Sequence, residues 1–164
     1  MDIQVPESDP SAFERAFCSK HEALGLKTTA GSGSKWGDGD AREVLDRGKL
    51  QFGLECKCRF TSSSMRPRPS EWEKAMGQLQ KRDPEAIRLF AVYVAEKARI
   101  PVPSYSVTIP KADFSRLTGH VDHAAGLADT TYCITKEKQA WDACHFGFSS
   151  WKSLYELIKS YRSA

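Results

Sequence analysis

Ten residues, Leu50 to Arg59 (LQFGLECKCR), alternate without a break: Leu50, Phe52, Leu54, Cys56 and Cys58 are interleaved with Gln51, Gly53, Glu55, Lys57 and Arg59. A period of two is the signature of a strand with one face on a core, and no helix can bury this pattern on one side. The stretch is therefore expected to be a half-buried strand with Glu55 and Lys57 on the same face. Same-face neighbours lie about 6.5–7 Å apart along a strand. That separation suits a carboxylate that holds a metal ion and an ammonium that approaches the same phosphate or water.

Upstream, Gly31-Ser32-Gly33-Ser34 and Gly37-Asp38-Gly39-Asp40 flank Lys35 and Trp36. The glycines let backbone amides approach a ligand, although the P-loop spacing is absent. Asp40 stands at the start of a short strand, Ala41 to Leu45, and Asp46 to Lys49 is expected to turn the chain back into the Leu50 strand. Such a hairpin can bring Asp40 and Glu55 together. Asp38 is the competing acid, and an aspartate among glycines is also ordinary turn chemistry. Ser32, Ser34, Lys35 and Trp36 are candidates to contact a nucleic-acid backbone or stack on an unpaired base, and Trp36 is equally a core residue.

At the front, Asp9-Pro10-Ser11 opens a helix with Phe13, Ala16 and Phe17 on one face, ended by Gly25. Glu14 has two readings there: it closes a capping box with Ser11, or it points from the Phe17 and Cys18 face toward the Glu55 region. Leu26 to Ala30 forms a short strand. After Arg59 comes a polar loop, Thr61 to Pro69, carrying Arg66 and Arg68. Ser70-Glu71-Trp72-Glu73 reads as a capping box for a helix with Trp72, Ala75, Met76 and Leu79 inside, and with Lys74, Gln78, Lys81 and Arg82 on or beside its wet face. Asp83-Pro84 stops it.

Ile87 to Ala95 (IRLFAVYVA) is almost continuously apolar, as expected of a central strand covered on both faces. Tyr105 to Ile109 reads as a strand and Lys111 to Leu117 as a helix, whereas residues 130–148 give no clear period. From about Ser150, Trp151, Leu154, Tyr155, Ile158 and Tyr161 form the stripe of an amphipathic helix. The order helix, three strands, helix, strand predicts a mixed α/β (α+β) layered domain spanning 1–164, with a core over about 10–110 and an extension over about 111–164.

The chain has 164 residues and a formal net charge of +3. Charge is uneven: residues 59–99 hold nine basic and five acidic side chains, a modest footprint for a polyanion directly after the Glu55 strand. No apolar run approaches the ~20 residues of a membrane span. Five cysteines and an acidic, proline-containing start predict reduced thiols, no disulfides and a cytoplasmic protein, or a nuclear one in a eukaryotic or viral setting. His120, His123, Cys133, Cys144 and His145 lack the paired CxxC spacing of a zinc site.

Taken together, FER (Phe13 to Arg15) on the first helix, the AGSGS loop (Ala30 to Ser34), the acid at a strand start and ECK (Glu55 to Lys57) on the next strand resemble the PD-(D/E)xK nuclease superfamily. The resemblance covers Phe13 to about Tyr93 and is nearest to the small phage endonucleases and archaeal Holliday-junction resolvases. It implies a restriction-endonuclease-like αβββαβ core with C-terminal helical additions. It also implies a Mg2+ (or Mn2+)-dependent DNA endonuclease acting on branched DNA as a homodimer. Asp40, Glu55 and the Cys56 backbone carbonyl would be the metal ligands, Asp38 the alternative to Asp40, Lys57 the water-positioning or charge-stabilising residue, and Glu14 an accessory acid. Gln78 matches a position where some of these nucleases place a glutamine near the site. Arg59, Arg66, Arg68 and Lys74 are the further candidates for DNA contact. The chain departs from the pattern in having Gly39 where the family has proline before the acid. The alternatives are a nicking, restriction or replication-associated endonuclease on duplex DNA, and a non-cleaving DNA-binding or assembly protein that keeps the fold.

Overall fold

The computed structural model describes residues 3–28, 41–43, 50–95 and 104–163. The first helix, α1 (Ala12–Lys20), buries Phe13 and Phe17 completely. It is not opened by the expected capping box. The Ser11 hydroxyl donates to Asp9 Oδ1 at 2.8 Å and accepts from Arg15 Nη1 at 3.0 Å, while Glu14 turns inward and is 6% exposed. A short 3-10 turn, Glu22–Leu24, ends at Gly25, whose φ of 73° lies in the left-handed region that glycine occupies without strain.

Strands β1 (Leu26–Thr28), β2 (Ala41–Glu43) and β3 (Phe52–Arg59) follow, each antiparallel to the next. The expected turn at Asp46 to Lys49 lies outside the described residues, but the pairing of Ala41 with Leu54 and Arg42 with Gly53 is that of the expected hairpin. Helix α2 (Pro69–Arg82) then carries the chain over to β4 (Ile87–Val94), which runs parallel to β3. The cap of α2 lies two residues earlier than the Ser70 reading. Arg68 is the N-cap, Pro69 occupies the first turn where its missing N–H costs nothing, and Glu71 Oε1 accepts the Arg68 N–H at 3.0 Å.

Strand β5 (Ser104–Pro110), helix α3 (Lys111–Thr118), the hairpin β6 (Thr130–Lys136) and β7 (Gln139–Phe146), and helix α4 (Phe148–Ser163) complete the chain. The expectation of helical additions alone is corrected here: the segment of unclear period is a hairpin that enlarges the sheet. Among the described residues the result is one mixed sheet of seven strands in the order β1-β2-β3-β4-β5-β7-β6, with β4 at its centre.

Helices cover both faces. Leu89, Ala91 and Tyr93 of β4 join a core with residues of α1, α3 and α4, and Phe90, Val92 and Val94 join a second core with Trp72, Ala75, Met76 and Leu79 of α2. This two-sided burial explains the apolar run. The α4 stripe lies inside the molecule: Trp151, Leu154 and Ile158 are fully buried. The indole Nε1 of Trp151 donates to His21 Nε2 at 2.8 Å, so Nδ1 carries the imidazole proton and donates to the Phe17 carbonyl at 2.7 Å. Trp151, Leu154, Tyr155 and Ile158 of that stripe are core, and Tyr161 at its end is half-buried. All five cysteines are free thiols. Among the described residues no helix is long and apolar enough to cross a membrane.

Candidate functional site

The alternation of β3 sets two faces. Leu54, with Cys56 and Cys58 half-buried beside it, looks toward α1, and the Cys58 thiol donates to the Pro10 carbonyl at 3.4 Å. Gly53, Glu55, Lys57 and Arg59 look toward α2. The helix passes so close that a Cβ on Gly53 would lie 3.2 Å from Leu79 Cδ2 and would press on that side chain.

On this face Glu55 is 7% exposed, and its Oε1 lies 3.6 Å from Lys57 Nζ. The lysine side chain remains 40% exposed, so the pair is a loose one whose cationic end still reaches solvent. Two residues further along, Arg59 makes the opposite use of the same face. Its Nη1 and Nη2 donate to Glu71 Oε2 and Oε1 at 2.6 and 2.5 Å in a buried, two-pronged pair. Burial disfavours the Glu71 carboxylate, but the hydrogen bonds from Arg59 and from the Arg68 amide outweigh it and hold the group below its ordinary range. Arg59 was a candidate for DNA contact; its guanidinium is instead committed to fixing α2 on the sheet.

The direction of the Cys56 carbonyl follows from the ladder. The Gln51 carbonyl accepts from Ile87 N at 2.8 Å and the Arg59 carbonyl from Ala95 N at 3.0 Å, so the odd-numbered residues of β3 bond toward β4. In a strand the N–H and C=O of one residue point the same way and alternate between neighbours. Cys56 therefore turns its carbonyl to the β2 side, where pairing among the described residues ends at Leu54. Glu14, buried on α1, belongs to the layer opposite the face that carries Glu55.

Asp38, Asp40, Ser32, Ser34, Lys35 and Trp36 lie outside the described residues. Arg66, Arg68 and Lys74 are exposed and Gln78 is half-buried. Among the described residues no three or more His, Cys, Asp or Glu side chains gather as a metal site, so His120, His123, Cys133, Cys144 and His145 do not form one. Cys144 and His145 are neighbours on β7 and so face opposite sides of the sheet.

One cluster escaped the sequence reading. His145 Nδ1 is 3.1 Å from Thr108 Oγ1, and the Arg66 guanidinium stacks 4.2 Å above the Tyr132 ring with Nη2 donating to Thr130 Oγ1 at 3.4 Å. Burial, then the Arg66 charge, lower the His145 pKa against the opposing pull of Asp129, and burial raises that of Tyr132. The available signal was the alternation of Thr130, Tyr132 and Ile134 with Thr131, Cys133 and Thr135. A separate groove of about 870 Å³ runs between α2, the start of α3 and the first residues of β7, with Trp72, Met76 and Trp141 in its wall.

No family model, no curated protein and no solved structure matches the chain.

Proposed function

We propose that the chain is a metal-dependent DNA endonuclease with a PD-(D/E)xK site on a restriction-endonuclease-like αβββαβ core. The observation that carries this reading is the buried Glu55 carboxylate 3.6 Å from Lys57 on the third strand of that element order. The Cys56 carbonyl, directed to the β2 side of β3, is the backbone oxygen this reading assigns to the metal.

A carboxylate and a carbonyl are the hard oxygen donors that magnesium or manganese takes, and the chain offers them on β3. Bound there, such an ion would neutralise phosphate charge and favour ionisation of water at neutral pH. Lys57 holds its ammonium within reach of a phosphate oxygen, where it stabilises charge developing in an in-line displacement. Glu55, held in a site largely closed to water, presents fixed negative charge without reorganisation. Glu14, buried on α1, is the accessory acid of this reading. Branched DNA is the substrate we favour, cut by a homodimer.

A panel of single-stranded, duplex, flap and four-way-junction DNA with Mg2+ or Mn2+, run beside Glu55→Gln, tests this. Junction cleavage that Glu55→Gln abolishes is the expected result. Preference for duplex would replace the resolvase reading by a nicking, restriction or replication-associated one. DNA binding with neither cleavage nor metal affinity would leave a non-cleaving binding protein.

A further inference from the structure

The β6–β7 hairpin and the loop before α2 bring together groups that the Glu55 site does not use. Arg66 lies on that loop, and the loop is pinned on both sides: Ser106 Oγ of β5 donates to the Met65 carbonyl at 2.6 Å, and Arg59 Nη2 of β3 to the Arg66 carbonyl at 3.5 Å. The Arg66 side chain is exposed, yet its guanidinium rests on the Tyr132 ring and bonds Thr130. A cation held flat on an aromatic face has lost much of its freedom before any ligand arrives. With one bond to Thr130 among its five N–H groups, it keeps donors for a further acceptor.

Beside it stand the Thr130 hydroxyl, the Tyr132 ring and the half-buried His145 imidazole, its ring centroid 6.4 Å from that of Tyr132. The nearby acid, Asp129, is turned to other work: it accepts from Gly147 N at 2.6 Å and Ser150 Oγ at 2.5 Å at the start of α4. The cluster thus presents the arginine charge and neutral donors, with the Asp129 carboxylate at its margin occupied by Gly147 and Ser150.

Register places it relative to Glu55. Glu55 faces Phe90, Phe90 faces Thr108, Thr108 faces His145, and His145 faces Thr130. All these side chains share the α2 face. Three strand spacings put His145 on the order of 14 Å from Glu55, roughly four base-pair rises of duplex.

We propose that Arg66, Thr130, Tyr132 and His145 form a second backbone-phosphate subsite for DNA, gripping the strand at a fixed distance from the Glu55–Lys57 centre. This rests on the nuclease reading for its ligand, and it gives the β6–β7 hairpin a function. Arg66 supplies the charge and a planar fork for two phosphate oxygens, Tyr132 the platform, and Thr130 and His145 the flanking hydrogen bonds.

The test is binding of a labelled duplex and a labelled four-way junction, without divalent metal, over a range of salt. Arg66→Ala should weaken binding about tenfold and lower the slope of log affinity against log salt by about 0.9, and Arg66→Lys should restore the slope. Tyr132→Leu, which keeps the charge, should weaken binding about threefold with the slope unchanged. A slope unaltered by Arg66→Ala, or wild-type protein that binds neither DNA, overturns the subsite. The two readings fail separately. Glu55→Gln that still cleaves defeats the nuclease site and leaves the salt slopes to stand, whereas cleavage lost in Glu55→Gln with no slope change in Arg66→Ala defeats the subsite alone.

Discussion

Lys57 and Arg59 are two residues apart on one face of one strand, each beside a carboxylate, and they are held in opposite ways. Lys57 is 3.6 Å from Glu55 with a 40% exposed side chain, whereas Arg59 is 4% exposed and grips Glu71 with both terminal nitrogens. A loose pair with a half-exposed lysine leaves the Lys57 ammonium able to meet a third group. A locked, dry pair has spent its hydrogen bonds on architecture. The difference teaches that charge on the right face is not enough to make a functional residue; what matters is whether a long-range partner has already taken it.

The largest expected effect breaks the loose pair. Lys57→Ala should reduce metal-dependent cleavage by about 10² to 10³-fold, the scale for removing one preorganised stabiliser of developing charge, while thermal unfolding shifts little. Equal cleavage by the variant and wild type under single-turnover conditions would remove Lys57 from the site.

Next comes the locked pair. Glu71→Gln leaves a buried guanidinium without its counter-charge and should cost about 3–5 kcal/mol in denaturant unfolding. Joint replacement of Arg59 and Glu71 by apolar residues of similar volume should recover most of that loss. A Glu71→Gln variant as stable as wild type would show the pair to be no more than a surface contact.

A smaller effect concerns pH. Burial first, then the Arg66 charge, lower the pKa of folded His145 below its ordinary 6.5. The unfolded chain then binds the proton more readily, so this contribution is complete above about pH 6.5 and is lost as pH falls through the folded value. His145→Gln should flatten the dependence of unfolding midpoint on pH between about 7 and 5. An unchanged profile would assign that dependence elsewhere. Asp129, held below its usual range by Ser150 and Gly147, and Glu71 act only at lower pH, with the same sign.

The smallest effect calibrates the rest. Lys136 and Glu73 pair at 3.0 Å with side chains 34% and 40% exposed, so Lys136→Ala should change stability by under about 1 kcal/mol, less still in high salt. A larger loss would mean that the β6–α2 contact depends on this charge.

Much of the frame was legible because it is written in local periods. The alternation at Leu50 to Arg59 and the apolar run at Ile87 to Ala95 became β3 and β4, and the hairpin pairing of β2 with β3 followed from them. Errors fell where two local patterns overlapped or where a surface had to be chosen. Arg68 to Glu71 and Ser70 to Glu73 both offer an acid three residues past a start, and the proline at the first helical position selects the earlier one. Residues 130–148 hid a hairpin because β6 lies at the sheet edge, where most of its side chains are exposed and the alternation of polarity fades. The α4 stripe announced an apolar face without saying what covers it. His21 and the sheet cover it.

The sequence by itself determined the strands and helices of the first half, β5, α3 and α4, and the faces of the β3 side chains, because those follow from backbone geometry over a few residues. Only the tertiary structure decided the partners: Arg59 with Glu71, Trp151 with His21, Arg66 with Tyr132. Each joins residues 12, 130 or 66 positions apart. Such contacts depend on how the sheet orders its strands and where α2 and α4 cross it, and no local period carries that information. The Glu55–Lys57 pair shows both sides: alternation put the two on one face, and the fold left Lys57 exposed while taking Arg59 away.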